Sequence, residues 1–163
     1  MALPASIASA LESWAGFYGH HQLVSVAIRY LHLAGLVVGG GAALAADRRV
    51  LSASRGGPPE RSATVAAVAA SHRVVVPALA VVVVTGLLMT ASDTATFFAS
   101  RLYWSKMALV GLLLLNGLGL LVAERAAEGE RSTGWTWLSV TSVTSLGLWL
   151  AILFAGVWLT VAA

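Results

Sequence analysis

The sequence contains no cysteine, which excludes disulfides, zinc–thiolate sites, iron–sulfur clusters and a covalently attached haem. Charge is almost as scarce. Only 10% of the 163 residues are Asp, Glu, Lys or Arg, where a soluble domain carries about a quarter. Methionine occurs three times, too few for the thioether-rich tracts that handle copper. No Ser–His–Asp arrangement, phosphate loop or metalloprotease motif is present. The start, MALPASIASALESWAGFYGHHQ, lacks the basic region and sustained apolar core of a signal peptide, and Glu12 interrupts it.

What remains is apolar. Hydrophobic residues make up 58% of the chain and the mean hydropathy is +0.84, a composition that belongs in a bilayer. The net charge of +3 does not signal nucleic acid, because the arginines gather in short loops, where they set membrane topology. A span needs about 20 apolar residues, and four segments qualify, at about 23–45, 72–91, 102–123 and 136–161. Ahead of them Leu3, Ile7, Leu11, Trp14 and Tyr18 recur every three or four residues, the stripe of a short amphipathic helix over 3–19 lying at the membrane surface. Short connections make the expected fold all-α, a single membrane domain with four transmembrane helices in an up-and-down bundle.

Punctuation supports this division. Gly56, Gly57, Pro58 and Pro59 break the chain after the first span. ATVAAVAASH is helix-compatible, so the second span can begin early, and Pro77 within it is expected to bend it. Asp93 and Thr94 look like a cap for the segment leading to FFASRLYW. Glu124, Glu128 and Glu130 read as a solvated turn, and Asp47 with Arg48 and Arg49 as a polar stop. The Ser/Thr series in TWLSVTSVTSLGLW is expected to bond its own helix or bridge to a neighbour.

Orientation follows from basic residues near the span ends. Arg48, Arg49, Arg55, Arg61, Arg73, Arg125 and Arg131 flank the first and third loops, while the amino-terminal segment and second loop hold only Arg101. This places those two loops in the cytoplasm and both termini outside. Tyr103, Trp104 and Trp158 then mark the outer interface, and Trp135 and Trp137 the inner one.

Ionisable groups inside spans are costly and are functional candidates by default. His32 lies about nine residues into the first span, roughly 13 Å from its outer end. Lys106 enters the third span from the same side, and Arg29 lies between them in depth. The three residues therefore cluster in the outer half. His32 is a candidate axial ligand of a b-type haem, with Arg29 and Lys106 as partners for its propionates. Lys106, as a neutral amine, could instead supply the opposite axial ligand. Each residue also has a plainer reading. Gly35 and Gly39 at four-residue spacing are a helix-packing device, Lys106 can snorkel outward, and His32 can simply bond a neighbouring helix. His72, about 18 Å deeper, is a poor partner for the same iron. It and Asn116 are secondary candidates. His20 and His21 are too few donors for a metal site.

LHLAGLVVGGG followed by DRRVL, VVTGLLM and FFASRLYWSKMALVGLLLLNGL resembles a family of uncharacterised bacterial four-helix membrane proteins, over about residues 23–120. The matching positions are His32, Asp47, Arg49, Thr85, Gly86, Lys106 and Asn116. More distantly, a histidine in the first span and a lysine in the third are similar to the haem-binding membrane protoporphyrinogen oxidases and the copper-resistance D-type proteins. That resemblance implies haem at His32 and Lys106; it does not carry the oxidase reaction, whose flanking signatures are missing. The leading expectation is thus haem-linked electron transfer, with a quinone or a redox partner. The alternatives are a cofactor-free accessory or anchor subunit, a homo-oligomer or part of a larger complex, and a small copper-handling transporter using His20, His21 and His32.

Overall fold

The computed structural model describes residues 4–54, 56–128 and 132–162. Leu3, Arg55, Glu130 and Arg131, used above, lie outside the described residues, as does the side chain of Glu128. Six helices follow in order: α1 (Ala5–His20), α2 (Gln22–Ala53), α3 (Pro58–Ser92), α4 (Thr94–Ala99), α5 (Arg101–Glu128) and α6 (Ser132–Ala162). The described residues form no strand, and four of these helices are long and apolar enough to cross a membrane. The fold is all-α, a polytopic helical bundle, and the protein is a membrane protein.

The helices outrun the expected spans because nothing stops them at the lipid boundary. α2 continues through the DRR stretch to Ala53, and α3 starts fourteen residues before His72, at Pro58. Proline suits a first helical turn, since the N–H it lacks would have no helical partner there. α3 also runs unbroken through Pro77, as a membrane helix can when neighbours satisfy the freed backbone. Asp93 caps α4, its Oδ1 accepting from the Thr96 N–H at 3.2 Å, which satisfies one orphan donor of that short helix.

Sequence neighbours pair most closely. α2 packs along α3 and α5 along α6; the two hairpins meet mainly through α2 and α6, and α3 touches α5 only slightly. The α2–α3 seam rests on glycine. A Cβ on Gly39 would come 2.9 Å from the Ala78 Cβ, and one on Gly35 would come 2.8 Å from a Val82 methyl. Such close approach is how helices associate where lipid removes the hydrophobic drive between them. Gly40 plays the same part toward α6, where the Trp149 ring lies 3.3 Å from its would-be Cβ. The outer face of the α2–α3 pair bears a shallow apolar groove of about 420 Å³ along Leu31, Gly35, Val38, Pro77 and Val81, with Arg73 at its rim.

The amphipathic α1 lies across the bundle end. Tyr18 is buried, and the Trp14 indole donates to the Leu88 carbonyl at 2.9 Å. The opposite end, near the 54–57 turn, holds the main core cluster, in which Ala46, Val50, Val68, Ala123 and Leu138 draw on all four long helices.

Candidate functional site

Two polar sites interrupt the apolar interior. The first is in the half nearer α1. His32 Nδ1 lies 2.9 Å from Thr85 Oγ1 across the α2–α3 seam. Thr85 has one hydroxyl hydrogen, and its oxygen lies 2.6 Å from the Val81 carbonyl of its own helix. When the hydroxyl spends that hydrogen on Val81, it accepts from the imidazole; Nδ1 then carries the ring proton, and in the neutral ring Nε2 keeps its lone pair. This is the arrangement that orients a metal-ligating histidine, whose second nitrogen donates to a fixed acceptor. Gly86 lies directly against the ring, its would-be Cβ 3.4 Å from Cε1. A side chain there would crowd the imidazole.

Lys106 arrives from α5 within electrostatic reach of His32. Its Nζ lies 3.6 Å from the position of a Cβ on Gly156 of α6. Among the described residues it has neither an ion pair nor a hydrogen bond. A lysine with no partner among the described residues and an imidazole thus lie within electrostatic reach of each other, on helices from different hairpins. Arg29 behaves differently. It is exposed, and its Nε donates to the Tyr18 hydroxyl at 3.3 Å, so it ties α2 to α1 about one turn from His32. The structure brings two of the three expected residues together and places the third at the rim.

The second site is in the other half, and it corrects the reading of Glu124 as a solvated turn residue. Its carboxylate is buried and accepts a hydrogen bond from His72 Nε2 at 2.8 Å. A carboxylate can only accept, so Nε2 bears the proton and is not free for a metal. This bond is a polar link across the thin α3–α5 seam. Asp47 also turns inward and is only 3% exposed, so it is an interior group, whereas Arg48 and Arg49 beside it are exposed. Asn116 bridges α5 to α6, its Nδ2 donating to the Thr141 carbonyl at 3.0 Å. Removing one partner of the buried His72–Glu124 bond strands the other. Glu124→Ala and His72→Ala should each lower stability by about 1–3 kcal/mol. The double variant should cost little more than either single one, measured by thermal unfolding in mild detergent.

His20 and His21 stay at the surface, where their Nδ1 atoms bond the carbonyls of Gly16 and Phe17 at 2.7 and 2.9 Å. No group of three or more His, Cys, Asp or Glu capable of holding a metal occurs among the described residues. His32, Gly86 and Lys106 are the residues of the first site that could contact a group bringing its own donors, such as a porphyrin. Thr85 was the component missed as a site residue: its TGLL motif was visible, but its role depends on which α2 residue faces it.

A protein family described as "Family of unknown function (DUF6644)" matches residues 9–162, a stretch containing all of both polar sites. No curated protein and no solved structure matches the chain.

Proposed function

The chain belongs to the DUF6644 family, and we propose that it is an integral membrane protein that binds a b-type haem through His32 and serves in electron transfer. The observation that carries this reading is the 2.9 Å contact between His32 Nδ1 and Thr85 Oγ1. With its own hydrogen on the Val81 carbonyl, Thr85 accepts a hydrogen bond from Nδ1 and leaves Nε2 available as a ligand. Lys106 would supply positive charge for a propionate, and Arg29, which holds Tyr18 at the rim one turn nearer α1, would add a second positive charge at that end. Haem, when bound, supplies a one-electron carrier; the chain orients the ligand, excludes water and balances charge. A quinone in the bilayer or a redox protein at its surface is the proposed exchange partner. The arginine distribution supports a cytoplasmic position for the 54–57 and 129–131 connections in a bacterial inner membrane.

Expression with haem available, followed by purification in mild detergent, tests this. The expected result is a Soret band that moves on dithionite reduction, at about one haem per chain. A colourless, folded preparation would remove the proposal and favour a cofactor-free subunit. Thr85→Val keeps the shape and deletes the acceptor. It should weaken haem retention by about 10- to 100-fold, the usual cost of losing the group that orients a metal-bound histidine. Equal retention by this variant would show that Thr85 does not position the ligand.

A further inference from the structure

The second polar site contains a group that the haem reading does not use. Asp47 is 3% exposed on α2, and Ser142 and Ser145 of α6 are 0% and 6% exposed. Both serines face the carboxylate. Asp47 Oδ2 and Ser142 Oγ are buried and make no hydrogen bond of good geometry, although both serines come close enough to the carboxylate to interact with it. The neighbouring helix residues behave otherwise. Ser139, Thr141 and Thr144 all donate back to carbonyls of α6, the ordinary fate of such hydroxyls in a membrane helix. Ser142 does not. Its oxygen, the Asp47 oxygen and Ser145 converge at the α2–α6 contact with no cation among the described residues beside them: Arg48 and Arg49 are exposed, Arg61 donates to the Ser54 carbonyl, and His72 is committed to Glu124.

A buried carboxyl group is retained in proteins when it is protonated, when it is paired or when it coordinates a metal. We infer that Asp47, Ser142 and Ser145 form a binding site for a small monovalent cation, Na⁺, held between α2 and α6. The charge decides the valence. One carboxylate neutralises one positive charge, whereas a divalent ion would leave a net charge in a low-dielectric interior. The donors decide the class: a carboxylate and hydroxyls are hard oxygen ligands. The packing decides the size. Ser142 and Leu138 have no exposed surface, and so enclosed a site favours a small ion over K⁺. The site bridges the helices that join the two hairpins, so an occupied site clamps them together.

Equilibrium binding of radioactive ²²Na⁺ to the detergent-purified protein tests this, with choline chloride holding ionic strength constant. Saturable binding, displaced by unlabelled Na⁺ or Li⁺ and far less by K⁺, is the expected result. Asp47→Asn should weaken it by more than about tenfold. Ser142→Ala, which keeps the carboxylate and the helix, should weaken it severalfold and serves if the first variant fails to fold. Absence of saturable Na⁺ binding to the folded wild type would overturn the inference, as would binding unchanged in Ser142→Ala. Stability that follows pH and ignores Na⁺ would also overturn it, by assigning the site to a proton. His32→Ala should leave Na⁺ binding intact, so this result and the haem result are read independently.

Discussion

His32→Ala is expected to yield a folded protein without a Soret band, while His72→Ala keeps its haem. The difference follows from what each ring nitrogen does. His32 Nδ1 is engaged by Thr85, and Nε2 is left as a ligand. His72 spends Nε2 on Glu124 and lies in the other half of the bundle. Under the proposed ligation, truncating His32 would remove the iron ligand, and no other histidine lies at that depth, so haem should be lost rather than bound more weakly. The fold should survive, because Thr85 keeps its hydrogen bond to the Val81 carbonyl and no charge is stranded. The stability cost should be about 1–2 kcal/mol, the lost packing of a half-buried ring. Haem content per chain and the unfolding midpoint are measured on the same preparation. Full haem occupancy in the alanine variant would refute the assignment of the ligand.

Gly39→Leu should be the most destabilising single change along the α2–α3 seam. Its Cβ would sit 2.9 Å from the Ala78 Cβ, an atom fixed to the α3 backbone that cannot rotate away, so the helices must separate. Overpacking of this kind costs about 1–3 kcal/mol or more. At Gly35 the clash is with a Val82 methyl at 2.8 Å, but Ala78 O also lies only 3.2 Å away, so the cost should be similar in kind. Gly41 has nothing within 4 Å of its would-be Cβ, and Gly41→Leu should be neutral or slightly stabilising, since leucine is the better helix former. The pair of variants separates packing from propensity. Because Thr85 reaches His32 across this same seam, Gly39→Leu should also lower haem retention, and Gly41→Leu should not. Unfolding midpoints that are equal for the two variants would contradict the packing account.

The bundle was legible in the sequence because its causes are local. Long apolar runs bounded by Gly-Pro and Asp-Thr breaks define helices whatever they pack on, and the capping role of Asp93 needs only a neighbour three residues away. Gly35 and Gly39 announced a close seam by their spacing. The sites were less legible because they depend on helix rotation. The pairing of His32 with Thr85 spans 53 positions, and that of His72 with Glu124 spans 52; no periodicity within one helix encodes either. Glu124 and Asp47 misled for one reason. Each stands beside arginines near a span end, where residue type suggests water, yet helical geometry turns one neighbour inward and the next outward. Ser142 and Ser145 could have been separated from the back-bonding hydroxyls only by knowing that they face α2.

The thin contact between α3 and α5 also bears on how the chain assembles. Each long-helix pair with an extensive interface is contiguous in sequence, α2 with α3 and α5 with α6, so each hairpin closes a short loop and pays little entropy to form. The halves can therefore become helical hairpins in the membrane before they meet, and their docking along α2 and α6 is the late event. That docking step brings Lys106 toward His32 and aligns Ser142 and Ser145 with Asp47. A mutation that slowed it would yield two well-formed hairpins and neither completed site.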